Sequence, residues 1–322
     1  MFPTGARLCA GFPASSESLW RPANGAYNEA SLGSPQRQHP DRMADTVLPA
    51  ETQALVASLL PRARDAVREA AALATPHFRM GGQTSANVWS KAGGSPVTEA
   101  DVAVDTFLKV RLSEIEPRAA WLSEETTDDP ARLDSDLVWI VDPIDGTRAF
   151  LSGHPDWSIA VALLAHGEPV IGFVFGPVLG ALYEASAGGG ASLNGTPIRV
   201  SGVTALDGIR VTGPKPLQDR LERGAARHGA PPALTRVDRI PSLALRVARV
   251  AEGAIDLGLI SKDSRDWDLA AADLILREAG GMICDLDGEA ARYNRPEPRH
   301  GELISAPRSL CEPALAALRA AG

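Results

Sequence analysis

The sequence predicts a mixed α and β fold whose carboxy-terminal half is of the α/β type, and three observations carry that reading. Apolar residues recur at helical spacing from Glu51 to Ala74 and again after Thr98. Short apolar runs broken by glycine and proline fill residues 137–200, and strand-like and helix-like segments alternate after Ser201. With 322 residues, 44% of them apolar, the chain can bury a full core as one large domain or two moderate ones.

In chain order, residues 1–45 mix Pro, Gly, Ser, Arg and Asn without period, which predicts a disordered leader. Met43 stands just before the first helical pattern, so the natural start is expected there. Residues 46–203 form the expected amino-terminal half and 204–322 the carboxy-terminal half. Leu55, Val56, Leu59 and Leu60, then Ala66, Val67, Ala70 and Ala71, define an opening helical stripe interrupted at Pro61, which has no N–H for the helix ladder. Thr98-Glu99-Ala100-Asp101 leads into Val102, Val104, Phe107, Leu108 and Leu112, a second helix. Strands are expected over Leu137–Val141, Trp157–Leu164, Val170–Phe175 and Ala181–Glu184. Asn194-Gly195 then makes a tight turn before a strand at Ile198–Val200. Beyond Ser201 come a strand at Ile209–Val211 and helices near Pro216–His228, Ser242–Glu252 and Asp268–Ala279. Gly280-Gly281 stops the last helix, and Met282–Asp285 resumes a strand.

The formal charge of -8 argues against a surface built to neutralise nucleic-acid phosphates, so no nucleic-acid polymer is expected as a partner. A small phosphate ester remains compatible, because an acidic site can bring its own cations. Cys9, Cys284 and Cys311 are odd in number and far apart, which fits a reducing cytoplasm better than a disulfide framework or a zinc cluster. No apolar run reaches the roughly 18 to 20 residues that span a bilayer, so no membrane partner is expected.

The most informative stretch is Leu137-Val-Trp-Ile-Val-Asp142-Pro-Ile-Asp145-Gly-Thr147, where an apolar strand delivers two acids, a proline, a glycine and a hydroxyl. The residue before a proline is pushed toward extended geometry, so Asp142 should project from the strand end while Asp145 can face the same point. Two carboxylates there repel by roughly 4 kcal/mol at 4 Å with an effective dielectric of about 20. A hard divalent ion such as Mg²⁺ removes that penalty. Gly146 lets a phosphate approach the backbone, and a helix starting near Thr147 would point free N–H groups at it. The same stretch also reads as an Asp-Pro-x-Asp-Gly turn held by side chain to backbone bonds. Further acids have equally plain readings of their own: Glu124 as part of a solvated acidic face, Asp101 as a first-turn acid, Asp268 as a helix N-cap.

Taken together, Pro96-Val-Thr98-Glu-Ala-Asp101, Ser123-Glu124-Glu125-Thr126, Asp142-Pro-Ile-Asp145-Gly-Thr147 and Trp267-Asp268-Leu-Ala-Ala with Glu278-Ala-Gly-Gly281 resemble, in order and spacing, the inositol monophosphatase superfamily. The resemblance spans about residues 50 to 310. It implies a five-layered αβαβα sandwich and a Mg²⁺-dependent phosphomonoesterase, sensitive to lithium and often a homodimer. By matching position, Glu124, Asp142 and the Ile144 carbonyl would bind one Mg²⁺; Asp142, Asp145 and Asp268 a second; and a weaker third would lie near Glu124. Thr147 and Asp101 would take a proton from the attacking water, and Gly146 and Thr147 would receive the phosphate.

Among subfamilies, the resemblance is closest to CysQ-type 3'(2'),5'-bisphosphate nucleotidases. Ser261 stands where inositol enzymes carry a sugar-binding glutamate, and Arg148 and Arg246 stand where CysQ-type proteins carry lysine. With Lys262 and Arg265 they form a candidate set for a second anionic group, although the same cations read equally as exposed charges. Ala149-Phe150 departs from the CysQ-type pattern toward the histidinol-phosphate and generic monophosphatases. The small phosphorylated substrate is therefore expected to be adenosine 3',5'-bisphosphate, with inositol 1-phosphate or histidinol phosphate as the nearest alternatives. A regulatory RNA- or RNA-polymerase-binding role on the same fold is the alternative from another class.

Overall fold

The computed structural model describes residues 48–91, 94–228 and 232–321; the expected leader and the expected start at Met43 lie outside them. The described residues open with α1 (Ala50–Ala74), the hairpin β1 (Val88–Ser90) and β2 (Pro96–Thr98), α2 (Glu99–Ile115), β3 (Ala120–Ser123), β4 (Leu137–Asp145) and α3 (Thr147–Ser152). A meander follows: β5 (Ser158–Ala165), β6 (Glu168–Gly176), β7 (Ala181–Ser186), β8 (Gly190–Leu193) and β9 (Thr196–Pro197). The remainder is β10 (Arg210–Thr212), α4 (Lys215–Ala225), β11 (Thr235–Arg236), α5 (Leu243–Ala251), β12 (Leu257–Ile260), α6 (Asp266–Glu278), β13 (Gly281–Asp285), β14 (Leu303–Pro307) and α7 (Arg308–Ala320).

Strands β3 to β9 form one seven-stranded sheet in chain order, parallel only between β3 and β4. A five-stranded sheet has the order β11-β10-β12-β14-β13. Because side chains alternate across a strand, the two faces of β4 part company. Trp139 and Val141 join a cluster with Val67, Ala70, Val104 and Leu108 of α1 and α2, whereas Val138 and Ile140 join Leu245, Val247, Leu269 and Ala272 of α5 and α6. A strand covered on both faces is apolar throughout, which is why Leu137–Val141 reads as an unbroken run.

The second sheet repeats the division. Ile260, Ile283 and Leu303 face the α5 and α6 cluster, while Val211, Leu257, Leu259 and Ile304 pack with Leu221, Leu310 and Leu318 of α4 and α7. The five layers are thus α1 and α2, the seven-stranded sheet, α5 and α6, the five-stranded sheet, and α4 and α7. This is the αβαβα sandwich. Contact between α6 and the first sheet is intimate: a Cβ on Gly172 of β6 would lie 2.7 Å from the carbonyl oxygen of Ala271. No helix among the described residues is long and apolar enough to cross a membrane.

Three local expectations are corrected. Helix α1 runs through Pro61 without interruption; Pro61 and Ala57, whose carbonyl loses its ladder partner, are both exposed, so water can take the orphaned acceptor. Asp268 is not the N-cap of α6 but its third residue, with Arg265 at the cap position. Ile198–Val200 is irregular: the Ile198 N–H donates to Ala191 and the Val200 N–H to Ala279, so the segment divides between two elements rather than pairing with one.

Candidate metal centre

The site begins with a fault in a strand. In a regular strand, residues three apart point to opposite faces. Opposite β5, however, Asp142 pairs with Ala160 and Asp145 with Ser158, three steps on β4 against two on its partner. One extra residue in this bulge turns both carboxylates to the same side. Pro143 sits within the bulge, where a residue lacking an N–H forfeits no ladder bond. Gly146 follows with φ +88°, and a Cβ there would come within 3.2 Å of the Asp156 oxygen and the Ser242 nitrogen. The glycine is required by this left-handed backbone and close packing, whatever it later admits.

Asp268 arrives from the other half of the chain, in the first turn of α6, its Oδ2 accepting the Arg265 N–H at 2.6 Å. Asp142, Asp145 and Asp268 each offer an oxygen within 4.8 Å of the other two. Asp145 Oδ2 accepts the Ser242 hydroxyl at 2.6 Å and the Ala244 N–H at 2.7 Å. Asp142 Oδ1 is buried with no hydrogen-bond partner. Burial and mutual repulsion push these acids up: Asp268 reaches about 8, through enclosure first and Asp145 second. Asp142 is held well above the usual carboxylate range by burial, then by Glu124, Asp145 and Asp268. Asp145 is raised by burial against the pull of its Ser242 hydrogen bond. An all-oxygen donor set with an orphaned buried acceptor, and with three carboxylates that Arg246 and Arg265 only partly offset, fits a hard divalent cation such as Mg²⁺.

A second group of acids lies beside the first. Glu124 follows β3, its N–H donating to the Val141 oxygen at 3.3 Å. Its carboxylate takes the Lys91 ammonium at 2.7 Å, and the same ammonium lies 2.7 Å from Glu125. Glu125 is pushed up to about 7, chiefly by burial. Beneath this turn, buried Asp105 accepts the hydroxyls of Ser123 and Thr126. Asp101 is the third residue of α2 in a capping box, its Oδ2 accepting the Thr98 N–H at 2.8 Å and the Thr98 hydroxyl at 2.5 Å. Burial lifts Asp101 to about 6. Thr147 Oγ1 is 3.5 Å from Asp101 Oδ1 and 3.1 Å from the Ile144 oxygen, so its shorter bond goes to the carbonyl.

The four cations named for a second anionic group separate. Arg148 and Lys262 are exposed and have no carboxylate partner among the described residues. Arg265 pairs with Glu297 at 2.6 Å and lies 5.8 Å from the centre of the Trp267 ring. Arg246 is only 4% exposed, its guanidinium donating to the carbonyls of Ile240 at 3.0 Å and Leu259 at 3.5 Å. Burial, then neighbouring Arg239, pull Arg246 down to about 10. Two of the four are therefore already engaged within the fold.

Sequence reasoning did not single out Lys91, Asp105 or Ser242. Ser242 carried a local signal, a serine at a helix start, but its bond to Asp145 spans 97 positions. Lys91 had no periodic or turn context to mark it.

Comparison with known proteins bears on this constellation. The model of the inositol monophosphatase family matches residues 56–321. An inositol-1-monophosphatase from Mesorhizobium japonicum is 35% identical over 62% of the chain and 75% of its own length. Nus factor SuhB from Haemophilus influenzae is 33% identical over 69% and 82%. The 3'(2'),5'-bisphosphate nucleotidase CysQ from Aggregatibacter actinomycetemcomitans is 31% identical over 72% and 87%. Among solved structures, an IMPase from Thermotoga maritima superposes with a TM-score of 0.67 at 26% identity, covering 84% of this chain and 98% of that one.

Proposed function

Because the chain belongs to the inositol monophosphatase family and is a Mg²⁺-dependent phosphatase, we propose that it removes the 3'-phosphate from adenosine 3',5'-bisphosphate, with Asp142, Asp145 and Asp268 as the centre of its metal site. The observation that carries the centre is the approach of three carboxylates within 4.8 Å, one of them bearing a buried, unpartnered oxygen. Glu124, Asp142 and the Ile144 carbonyl would hold one ion and Asp142, Asp145 and Asp268 a second, with a weaker third near Glu124. Bound Mg²⁺ supplies a more acidic water and neutralises phosphoryl oxygens.

The chain's own groups do the rest. Asp101 is fixed through Oδ2 by Thr98, which leaves Oδ1 toward the Thr147 hydroxyl. That pair orients the attacking water and accepts its proton, while the backbone around Gly146 and Thr147 receives the phosphate. Lys91 balances Glu124 and Glu125, so the acids of the second group need less compensation than those of the first.

The substrate assignment rests on Ser261 in place of a hydroxyl-binding acid, on exposed Arg148 and Lys262 as contacts for the second phosphate, and on the likeness to the CysQ relative. Phosphate release from adenosine 3',5'-bisphosphate, inositol 1-phosphate and histidinol phosphate, with Mg²⁺ and with or without Li⁺, tests it. The nucleotide should turn over fastest; much faster turnover of either alternative replaces the assignment within the same chemistry. The relative named Nus factor SuhB favours a second reading, a regulatory binding role on this fold. Asp145→Asn separates the two, since a cellular phenotype that survives loss of hydrolysis would indicate binding rather than catalysis.

A further inference from the structure

Resting on the metal site proposed above, we infer that Ser242 is a positioning residue for the cation: its hydroxyl pins one oxygen of Asp145 and leaves the other for the ion. The argument is one of counting protons. Ser242 Oγ lies 2.6 Å from Asp145 Oδ2, 2.9 Å from Ser158 Oγ and 3.0 Å from the Leu245 nitrogen. An ionised carboxylate only accepts, and a serine hydroxyl has a single proton, so that proton goes to Asp145. Ser242 must then accept from both the Leu245 N–H and the Ser158 hydroxyl. The direction of every bond is set, and all of them polarise the Ser242 hydroxyl toward the carboxylate.

The anchor is rigid on both sides. Ser158 and Ser242 are completely buried, Ser158 on β5 opposite Asp145 and Ser242 at the N-cap of the nine-residue α5. The Ala244 N–H, in the first turn of that helix, donates to the same Asp145 Oδ2 at 2.7 Å. Asp145 is thus held by the start of a helix from the other half of the chain, and the serine that holds it is itself braced by β5. Two donors on one oxygen fix the carboxylate plane, as partners of metal ligands do when they orient a ligand before the ion arrives.

Titration of the full-length protein with Mn²⁺, followed by its paramagnetic resonance signal, tests the assignment without relying on turnover. Ser242→Gly is the informative variant, because glycine serves an N-cap almost as well as serine. Mn²⁺ affinity should fall by about tenfold or more, the Mg²⁺ concentration for half-maximal activity should rise with it, and saturating Mg²⁺ should recover most of kcat. Ser158→Ala keeps the Ser242 donation to Asp145 and should bind Mn²⁺ nearly as the wild type does. Unchanged affinity in Ser242→Gly, or equal losses in both variants, overturns the role of Ser242 alone. A wild-type protein that takes up no Mn²⁺ overturns the metal site itself, and this role with it.

Discussion

At the scale of single residues, the centre is defined by acids that the fold makes unwelcome. Asp142 has a buried oxygen without a donor, so Asp142→Asn should raise the melting temperature of metal-free protein at pH 8 while abolishing hydrolysis, a contrast that calorimetry and phosphate release check together. Asp268→Asn should lower kcat by about 10³-fold, in line with the several kcal/mol that metal charge contributes to such reactions. Protonation gives the sign of the pH dependence. Asp101 near 6 and Asp268 near 8 both stand above the ordinary value of 3.8, so the folded metal-free state binds these protons more tightly than the unfolded chain does. Stability from these groups is complete below about pH 4 and is lost as pH rises through 6 and then 8. The melting temperature in EDTA should therefore fall from pH 5 to pH 9, and the gain on adding Mg²⁺ should grow over that range; a gain larger at pH 5 would contradict this account. The gathering of Asp142, Asp145 and Asp268 was legible through the ordered motifs that carry the resemblance, since each motif alone has a plain local reading. Lys91 and Asp105 were not, since each takes its meaning from partners more than 15 positions away.

Elements follow their local chemistry wherever the local signal is strong. The helix after Thr98 appears as read; the turn at Asn194-Gly195, with both residues at positive φ, joins β8 to β9 rather than Ala181–Glu184 to Ile198–Val200. Short elements escaped: β11 has two residues and β12 four with a glycine inside, too few for a period to show. Pro61 misled for a physical reason, because an exposed helix face tolerates a missing donor. Pro61→Ala should accordingly stabilise α1 by about 2 kcal/mol, the helix-interior penalty of proline less its effect on the unfolded chain, measurable by urea denaturation. Gly146 is the opposite case: with φ +88° and backbone atoms 3.2 Å from a would-be Cβ, Gly146→Ala should cost about 2 kcal/mol or more and displace Asp145 and Thr147.

For the molecule as a whole, the layered order was beyond local reading; it had to come from resemblance, because nothing in a run of apolar residues says which sheet face a distant helix will cover. Layering matters for the site. Asp142 and Asp145 belong to a strand of the first sheet, Asp268 to a helix lodged between the two sheets, and their meeting point exists only when those layers have docked.

Gly172 shows how narrow that docking is. The Ala271 carbonyl occupies the space a methyl group would need, so Gly172→Ala would wedge α6 outward along its middle. Such a wedge touches no acid, yet it tilts the beam on which Asp268 is mounted. A glycine in the heart of a sheet thereby sets the gauge between Asp268 and the two acids of β4.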